Sequence, residues 1–436
     1  MPSGRHWKLG PSPSRLRSLG TVAVPPSKSV ANRLLPLAAL SRGVSVAQDF
    51  RSESLPDDIS LMLGALRALG VGISTQDCDL LIAGGGHFEP QGPIQVGEAG
   101  TVLRFLLPLV ALHCNGTVVF YGSGRLFDRP LEPLLRPLQE LGAEWRPQAN
   151  GGVLVPSGAK PHSVDIEVDG AISSQFISGM ALAVAGLPGG GTLKWQNPPV
   201  SQSYLYLTEQ TLRLFKCNAR LNQKSFEIPG ASLEPVSLQI PGDWSAAAVF
   251  FCAAAILGRQ VEVWPLDIDD GQGDAAILAI LGKTGSVWQF EGKRCLFSGR
   301  LDSGICADLI NCPDLAPLLA AVAVFAPGPS ELRGLNALPH KESDRLQGIS
   351  RLIGWLGGKT EPLGFSIRII PRDSAGAPAP NGPFDPEGDH RMAFAAGLGA
   401  LCGREAVIGP SCVSKSFPNF WDEWEAMGHC LNHPPC

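Results

Sequence analysis

Charged and hydroxyl side chains stand just before several apolar helices of this sequence, in positions where chemistry is readily placed. The first case is Ser27-Lys28-Ser29 with Arg33, which follows a β-branched strand pattern at residues 21–24 and leads into an apolar helix. Helix N-termini expose unpaired backbone N–H groups and the positive end of the dipole, so these residues favour a phosphate or carboxylate ligand. An ordinary solvated helix start explains the segment equally well. Taken alone, it leaves both interpretations open.

Further polar segments precede apolar helices, and each has a simpler explanation when taken singly. A serine of Ser173-Ser174-Gln175 could cap the helix predicted at residues 176–185, and Asp314 could cap the helix predicted at residues 315–326. The other segments are typical of solvated faces or caps. The full set comprises residues 97–104, 128–130, 173–175, 314, 341–345, 389–391 and 415–418.

The cations of these segments change the interpretation when they are considered together. The protein is acidic, with a formal net charge of −5, yet its cations recur at predicted helix starts and loops. Such a concentration favours a strongly anionic substrate pair, because arginine makes bidentate contacts to carboxylate and phosphate and lysine adds a mobile point charge. Glu342 and Asp314 in that field are candidates for proton transfer. The cations are Lys28, Arg33, Arg129, Arg345, Arg391 and Lys415.

The composition limits the classes of protein to which the chain can belong. With 436 residues, 44% apolar and 17% charged, it is expected to form two domains with large cores. The negative net charge and the lack of a long basic run argue against nucleic-acid and polybasic membrane binding. The longest apolar runs, of about twelve residues, are too short to span a bilayer.

Cysteine usage and nucleotide motifs exclude further classes. The eleven cysteines include no Cys-x-x-Cys pair, which predicts reduced thiols in a cytoplasmic protein and no zinc site. Gly282-Lys283 and Gly358-Lys359 lack the earlier glycine of a nucleotide phosphate loop. The sequence also has no Gly-x-Ser-x-Gly nucleophile elbow.

Helices that end in Leu-Gly or a close variant recur along the chain at intervals of about 70 residues. Glycine or asparagine supplies the left-handed conformation that many helix C-termini require. Each period also holds a second apolar helix and several β-rich runs, so we predict six copies of one βαβαββ unit. The predicted helix ends are Gly70, Gly142, Asn218, Gly282, Gly357 and Gly428.

Six units divide naturally into three and three. The midpoint falls at Pro241-Gly242-Asp243, where proline and glycine indicate a crossing and Asp243 would cap a helix at residues 244–257. Two similar α/β lobes with a cleft between them are therefore expected. Clefts of this kind are where small-molecule sites usually lie.

The motifs as a set resemble those of the 5-enolpyruvylshikimate-3-phosphate synthase family of enolpyruvyl transferases. They occur in the family's order from residue 27 to residue 418, which is nearly the whole chain. Together they are far more specific than any one of them. The matching segments are Ser27-Lys28-Ser29 with Asn32-Arg33, Ala99-Gly100-Thr101 with Arg104, Ser173-Ser174-Gln175-Phe176, Gly242-Asp243, Lys341-Glu342-Ser343-Asp344-Arg345, Asp389-His390-Arg391-Met392 and Lys415-Ser416-Phe417-Pro418.

The resemblance implies a mixed α/β (α+β) fold of two similar lobes, each with three βαβαββ repeats arranged as an inside-out α/β barrel. Residues 1–24 and 242–436 would form lobe one, and residues 25–241 lobe two. The implied reaction transfers the enolpyruvyl group of phosphoenolpyruvate to the 5-hydroxyl of shikimate 3-phosphate, releasing phosphate, in chorismate and aromatic amino acid biosynthesis. No cofactor, metal, nucleic-acid or membrane partner is expected, and the enzyme is expected to be monomeric.

The resemblance also assigns residues to the two ligands and to a reaction through a tetrahedral ketal. Glu342 would protonate the methylene carbon and later remove that proton, Asp314 with Lys341 would activate the hydroxyl, and Lys28 would lie between both ligands. The division of acid and base roles among these four stays open. The expected shikimate 3-phosphate contacts are Lys28, Ser29, Arg33, Ser173, Ser174, Gln175, Ser201, Tyr204, Asp314 and Lys341. The expected phosphoenolpyruvate contacts are Lys28, Gly100, Thr101, Arg129, Gln175, Arg345, Arg391 and Lys415.

Two positions depart from the family pattern, and two alternatives stand beside it. Glu98 replaces the asparagine of many members and would repel an anion unless it turns away or pairs with a cation, while Pro26 replaces a glycine. A sister family that uses UDP-N-acetylglucosamine fits less well, because it has Lys-Asn at Lys28-Ser29 and a cysteine on the loop at residues 122–129. A catalytically silent paralogue that binds phosphorylated ligands is supported only by Glu98.

Overall fold

The computed structural model of the chain describes residues 18–50, 55–230, 232–372, 382–403 and 407–432. These residues divide into two compact units. Unit one contains the described parts of residues 1–26, 241–269 and 273–436, and unit two contains those of residues 27–240 and 270–272. Residues 1–17 of the predicted first lobe lie outside the described ranges. Within those ranges, no helix is both long and apolar enough to cross a membrane.

Helices and short strands alternate along the whole described chain. Up to residue 240 the elements are β1 (Ser18–Ala23), α1 (Lys28–Leu40), β2 (Gly43–Gln48), α2 (Asp57–Ala68), β3 (Gly72–Gln76), β4 (Asp79–Gly84), β5 (Ile94–Gly97), α3 (Gly100–His113), β6 (Val118–Gly122), α4 (Glu132–Glu140), β7 (Glu144–Gln148), β8 (Gly151–Val155), β9 (Val164–Glu167), α5 (Gln175–Val184), β10 (Gly190–Lys194), α6 (Ser203–Leu214), β11 (Arg220–Leu221), β12 (Ser225–Pro229) and β13 (Ser237–Gln239). From residue 241 they are α7 (Trp244–Leu257), β14 (Gln260–Trp264), α8 (Ala276–Gly282), β15 (Gly285–Glu291), β16 (Arg294–Leu301), β17 (Cys306–Asp308), α9 (Ala316–Phe325), β18 (Ser330–Arg333), α10 (Arg345–Leu356), β19 (Lys359–Pro362), β20 (Ile367–Ile370), α11 (His390–Gly397) and α12 (Phe420–Asn432).

The described strands form five four-stranded sheets that share one topology. In the sheet β5-β6-β8-β7, β5 runs parallel to β6, and the β6–β8 and β8–β7 pairs are antiparallel. Its chain order, β5-α3-β6-α4-β7-β8, is a βαβαββ unit, and the same order recurs from β9 to β12 and from β17 to β20. The predicted repeating unit is therefore confirmed.

The two remaining sheets exchange their first strands. Strand β1 pairs in parallel with β14 instead of with β2, and β13 pairs in parallel with β2. A parallel pair needs a crossover connection, so this exchange requires the chain to cross twice. One crossing coincides with the predicted Pro241-Gly242-Asp243 segment, where Gly242 forms an isolated bridge to Pro26.

Three of the predicted glycine helix ends are confirmed by their backbone conformation. Gly70, Gly142 and Gly357 have φ angles of 88°, 86° and 93°, in the left-handed region that suits glycine. Each follows its helix and leads within a few residues into a strand.

Of the other three, Gly282 does end its helix but without the left-handed conformation, and the ends predicted at Asn218 and Gly428 are wrong. Gly282 is the last helical residue of α8, and the ring of Trp288 lies 2.8 Å from where a Cβ would be, so packing accounts for this glycine. In the copy near Asn218 the left-handed residue is Lys216, with φ 63°. Gly428 lies inside α12, which continues to Asn432.

Each unit has its own hydrophobic core, built around helices that are apolar on every side. In unit one these are α7 and α9, whose residues are nearly all buried, and in unit two α3 has this role. Helix α7 has the predicted bounds, and Asp243 caps it by accepting a hydrogen bond from the N–H of Ala246. A cap of this kind contributes about 1 kcal/mol.

Candidate active site

Arg345, the first residue of α10, is the centre of a cluster of charges in unit one. Its side chain is 1% exposed and donates from Nη1 to Asp314 Oδ1 at 2.8 Å, from Nη2 to Glu342 Oε2 at 2.6 Å and from Nε to Asp389 Oδ2 at 2.7 Å. Asp344 caps α10 by accepting from the N–H of Gln347, which fixes the start of the helix. Burial lowers the pKa of Arg345, but the three carboxylates outweigh this and hold it well above the ordinary value.

Asp389 anchors this cluster from the start of α11. It is fully buried, caps α11 by accepting from the N–H of Arg391, and also accepts from Ser343 Oγ at 3.1 Å. One carboxylate therefore fixes two helix starts, those of α10 and α11. A buried carboxylate is tolerated because every contact it makes is a hydrogen bond or an ion pair.

Asp314 belongs to the charge cluster and does not cap α9. It lies on a 3₁₀ turn at Pro313–Leu315, and neither that turn nor α9 has a side-chain cap. Its Oδ1 accepts from Lys341 Nζ at 3.2 Å and from Arg345, and its Oδ2 lies 3.6 Å from Arg391 Nη2. Burial raises the pKa of Asp314, but these three cations outweigh it and hold the pKa well below its usual value.

Glu342 lies between two cations in the same cluster. Its Oε2 accepts from Arg345, and its Oε1 lies 3.2 Å from Lys415 Nζ. The Glu342 side chain is 16% exposed, so it reaches the surface of the cluster and remains accessible to a ligand. Trp421 supports the Lys415 segment, since its Nε1 donates to the carbonyl of Pro410 at the start of a 3₁₀ turn, Pro410–Lys415.

Arg391 and the unpredicted Asp274 complete the unit-one cluster. Arg391 is buried, and its Nε and Nη1 have no hydrogen-bond partner among the described residues. Asp274 is equally buried, and its environment raises the pKa to about 6, first through burial and then through the charge of Asp314. The sequence signal was present, because Asp274 precedes the apolar helix α8 just as Asp314 precedes α9.

In unit two, the start of α1 carries an ion pair between Lys28 and Asp58. Lys28 Nζ lies 3.1 Å from Oδ2 of Asp58, which is buried in the first turn of α2 and was not predicted as a site residue. The Asp57-Asp58 pair ahead of the helix end predicted at Gly70 was the available signal. Ser29 follows Lys28 and its carbonyl accepts from Arg33 Nη1 at 2.7 Å.

Arg33 is fully buried and has no acidic partner among the residues that the structure describes. Its Nε donates to Thr208 Oγ1 at 2.9 Å and its Nη2 to the Tyr204 carbonyl at 3.2 Å. The guanidinium also faces the rings of Phe105 and Tyr204, with its carbon 5.2 Å and 5.7 Å from the ring centroids. Burial lowers the pKa of Arg33 to about 10, so it stays charged at neutral pH.

Tyr204 and the buried Ser201 stand at the start of α6. Ser201 has φ 53°, a left-handed conformation that is uncommon for a residue with a side chain and costs on the order of 1 kcal/mol. Such strain persists where the surrounding structure holds it, and it is frequent at functional sites.

The starts of α3 and α5 hold a third group of predicted residues. The guanidinium of Arg129 lies against Gly100, where an added Cβ would be 2.8 Å from Arg129 Nη1, so a larger residue here would displace the guanidinium. Gln175 Nε2 donates to Thr101 Oγ1 at 2.9 Å, and its Oε1 accepts from the buried Arg104 at 2.7 Å. Arg104 therefore fixes the orientation of the Gln175 amide.

Ser173, Ser174 and Glu98 lie beside this group. Ser173 Oγ accepts from the N–H of Gln175 at 3.3 Å, and Ser174, at the cap position of α5, makes no side-chain cap bond. The carboxylate of Glu98 lies over Gly124, where an added Cβ would be 2.3 Å from Glu98 Oε1. The group is therefore packed against the loop that carries Arg129.

The structure thus brings the predicted residues together in two sets, one in each unit. The unit-one set is a single contacting cluster, whereas the unit-two set is distributed over neighbouring starts of α1, α3, α5 and α6. The unit-one set comprises Asp314, Lys341, Glu342, Arg345, Arg391 and Lys415. The unit-two set comprises Lys28, Ser29, Arg33, Gly100, Thr101, Arg129, Ser173, Ser174, Gln175, Ser201 and Tyr204.

Comparison with known proteins points to one family. A family model described as EPSP synthase (3-phosphoshikimate 1-carboxyvinyltransferase) matches residues 13–424. A relative named 3-phosphoshikimate 1-carboxyvinyltransferase from Methanospirillum hungatei is 33% identical over 414 residues, covering 92% of this chain and 94% of the relative. One of the same name from Syntrophobacter fumaroxidans is 33% identical over 418 residues, covering 93% and 96%.

Solved structures show the same fold. The structure of EPSP synthase from Acinetobacter baumannii has a TM-score of 0.76 at 24% identity, covering 96% of this chain and 97% of that one. The enolpyruvyl transferase NikO from Streptomyces tendae has a TM-score of 0.69 at 18% identity, covering 97% of both chains. At these identities the likeness concerns the fold alone.

Proposed function

The chain belongs to the EPSP synthase family, and we propose that it transfers the enolpyruvyl group of phosphoenolpyruvate to the 5-hydroxyl of shikimate 3-phosphate, with release of phosphate. The observation that carries this proposal is the contacting cluster of unit one. In it, Asp314 and Glu342 are each held by buried or half-buried cations. Two carboxylates in a strongly cationic field are what a proton-transfer reaction between two anionic substrates requires.

Buried donor atoms of two arginines support the phosphoenolpyruvate contacts. Nε and Nη1 of Arg391 and Nε of Arg129 lack a hydrogen-bond partner among the described residues. A buried donor without a partner costs about 1–3 kcal/mol, so a carboxylate or phosphate that accepts from it offsets that cost. The proposed contacts are Lys28, Gly100, Thr101, Arg129, Gln175, Arg345, Arg391 and Lys415.

The shikimate 3-phosphate contacts are supported by the hydroxyls and the buried cation of unit two. Arg33 is charged without an acidic partner within the described ranges, and Ser201 is held in an unusual conformation beside Tyr204. A sugar-like phosphate presents many acceptors and hydroxyls, which serines, amides and arginine match. The proposed contacts are Lys28, Ser29, Arg33, Ser173, Ser174, Gln175, Ser201, Tyr204, Asp314 and Lys341.

The reaction proceeds in two steps through a tetrahedral ketal. Glu342 donates a proton to the methylene carbon, and the 5-hydroxyl oxygen bonds to the adjacent cationic carbon while Asp314, with Lys341, takes the hydroxyl proton. The bond to the phosphate oxygen then breaks, and phosphate leaves with the electron pair. Glu342 removes a proton from the methyl group, which restores the double bond, and the hydroxyl proton leaves with the phosphate.

The charges around Asp314 suit the role of a base that is activated by substrate. In the free protein three cations hold its pKa well below the usual value, so the carboxylate is ionised at neutral pH. Anionic ligands that engage Lys341, Arg345 and Arg391 offset those charges and raise the basicity of Asp314. Lys28 adds positive charge where the two ligands would otherwise repel each other.

The proposal includes a monomeric cytoplasmic enzyme that uses neither a cofactor nor a metal and binds neither nucleic acid nor membranes. Its two predicted domains are residues 1–24 with 242–436 and residues 25–241, and we assign the two compact units to them. The enzyme would act in the shikimate pathway, in which chorismate and the aromatic amino acids are made.

Phosphate release by the purified protein tests the proposal. Phosphoenolpyruvate is supplied with shikimate 3-phosphate in one reaction and with UDP-N-acetylglucosamine in the control. Release that requires shikimate 3-phosphate is expected. Release with the nucleotide sugar instead would favour the sister family, and tight shikimate 3-phosphate binding without any release would favour the silent paralogue.

A further inference from the structure

A cavity of about 520 Å³ opens in unit two between the first turn of α6 and the hairpin that joins β11 to β12. We call it the α6 cavity. Trp195 lines it after β10, Gln202 and Tyr206 line it from α6, and Asn222 and Lys224 line it from the hairpin. Its volume lies within the range of small-molecule pockets, about 300–1,000 Å³. None of its lining residues is among the proposed substrate contacts, so the reaction leaves this cavity without a role.

Aromatic and proline side chains form the apolar part of the α6 cavity. Tyr206 is 52% exposed, so much of its ring is open to a ligand. Trp195 is nearly buried, and its Nε1 donates to the Gln223 carbonyl at 2.9 Å, so its ring offers only apolar surface. Pro198 and Pro199 add further carbon surface. A flat aromatic ring suits such a lining, because it stacks on or packs edge-on against another aromatic ring.

Lys224 and two amides give the α6 cavity its polar character. Lys224 is the one charged side chain among the described residues that line it, and it is exposed. Two acids outside the lining, Glu167 and Glu227, accept from Gln196 Nε2 at 3.2 Å and from Asn222 Nδ2 at 2.9 Å. These bonds use amide donors and leave the amide oxygens as acceptors. The lining therefore favours a carboxylate at the lysine and an N–H donor at the amides.

The first turn of α6 separates the cavity from the proposed shikimate 3-phosphate contacts. Gln202 and Tyr206 are four residues apart and face the cavity together. Tyr204 and Thr208, also four residues apart, lie on another side of the helix, where Thr208 Oγ1 accepts from Arg33 at 2.9 Å. A ligand in the α6 cavity is therefore expected to bind without displacing shikimate 3-phosphate.

We propose that the α6 cavity binds a small aromatic carboxylate whose ring carries an N–H donor. The ring packs against Tyr206 and the two prolines, the carboxylate pairs with Lys224, and the amide oxygens accept from the N–H. This site goes beyond the proposed function and does not depend on it, because its test measures binding alone.

Isothermal titration calorimetry with indole-3-acetate tests the inference in the parent and in the single variants Lys224→Gln and Tyr206→Ser. Indole-3-acetamide, which has the same ring without the charge, is titrated beside it. Lys194→Gln and Tyr121→Ser are the matched controls, since both residues are exposed in unit two and lie outside the cavity lining. All four side chains are exposed, so folding should be preserved, and the melting temperature checks this.

The parent is expected to bind indole-3-acetate with a Kd of about 1 mM or below. The acetamide should bind about two- to fivefold more weakly, as the loss of one exposed ion pair predicts. Lys224→Gln should weaken acetate binding by the same factor and leave acetamide binding unchanged. Tyr206→Ser should weaken the binding of both compounds about two- to tenfold, and both controls should match the parent.

The cationic helix starts of both units also attract carboxylates, so the variants decide where the compound binds. An affinity for indole-3-acetate that either Lys224→Gln or Tyr206→Ser leaves unchanged would overturn the inference. Equal affinity of the parent for the acetate and the acetamide, or no binding up to about 10 mM, would overturn it as well. Phosphate release enters none of these outcomes, so failure of the proposed function is observed separately.

Discussion

The arrangement of charge around Arg345 sets the chemistry of unit one at the scale of single residues. Its guanidinium contacts Asp314, Glu342 and Asp389, of which Asp389 is fully buried and the other two are partly accessible. The buried pair has a structural role, because removing one partner of a buried ion pair costs about 3–5 kcal/mol. The two accessible carboxylates are those that we propose for catalysis.

Glu342→Gln tests the proposed acid directly. The amide keeps the size of the side chain, and its single oxygen can still accept from Arg345 while the contact with Lys415 is lost, so folding should be preserved. An amide cannot exchange a proton with the methylene carbon, so kcat is expected to fall by about 10²–10⁴-fold. Measurement of kcat and melting temperature beside Glu361→Gln, an exposed glutamate of unit one, checks this. A near-normal rate would remove Glu342 from the mechanism.

Asp314→Ala is expected to reduce activity far more than stability. Asp314 does not cap α9, and Arg345 retains Asp389 and Glu342 as partners, so the main loss of stability comes from the longer 3.6 Å ion pair with Arg391. We expect kcat to fall at least about 100-fold. The corresponding loss in the free energy of unfolding is expected to be smaller than the rise in the activation free energy. Asp344→Ala is the comparison, because that residue does cap a helix and should cost about 1 kcal/mol of stability with a weaker effect on kcat. A mainly thermal effect of Asp314→Ala would contradict its catalytic role.

Sequence reasoning located charged residues well when a motif held several of them together. The pentapeptide at residues 341–345 and the triplet at 389–391 do converge on Arg345. It did not find Asp58 and Asp274, because acids at a helix start are explained by capping or by the helix dipole alone. Whether such an acid caps or pairs depends on the cations that the fold brings near it, and local sequence does not contain that information.

At the scale of elements, the starts of helices position the proposed site. Asp344 and Asp389 cap α10 and α11, and these caps fix the backbone from which Arg345 and Arg391 extend. Such starts also leave backbone N–H groups free for an anion. The positions at which these helices start are therefore as important for the proposed site as the charged residues themselves.

Gly357→Ala tests the glycine helix end that closes α10. Gly357 has φ 93°, where a side chain is strained, so alanine is expected to cost about 1 kcal/mol and to lower the melting temperature by a few degrees. Gly354→Ala in the same helix is the matched control, since an added Cβ there has no neighbour within 4 Å among the described residues. It should be neutral or stabilising by up to about 1 kcal/mol. Equal effects of the two substitutions would contradict this assignment.

Elements with a clear start and end in the sequence were predicted accurately. Helix α7 has the predicted residues because Asp243 caps its start and Gly258, with φ 63°, ends it. Gly282 ends α8 as predicted but without the left-handed conformation, and the Trp288 ring packs against it instead. The end predicted at Asn218 was wrong because Lys216 adopted the left-handed conformation. Such tertiary effects are not visible in a short window of sequence.

At the scale of the whole molecule, the repeat accounts for the fold. Five described sheets with one topology follow from one βαβαββ unit, which was predicted from the spacing of helix ends together with the second helix and the β-rich runs in each period. The exchange of β1 and β13 between the remaining sheets was not predictable from the spacing, because strand partners are chosen by long-range pairing. The family match over residues 13–424 gives this repeated fold its chemistry.

The most direct test of the central claim is ³¹P nuclear magnetic resonance of phosphoenolpyruvate and shikimate 3-phosphate incubated with the purified protein. We expect the phosphoenolpyruvate signal to decline in proportion to the growth of inorganic phosphate, while the 3-phosphate signal moves to that of an enolpyruvyl ether. Loss of phosphoenolpyruvate without a change in the 3-phosphate signal would mean hydrolysis, and no change in either signal would mean that the chain is not a working transferase. Either result would contradict the proposed function.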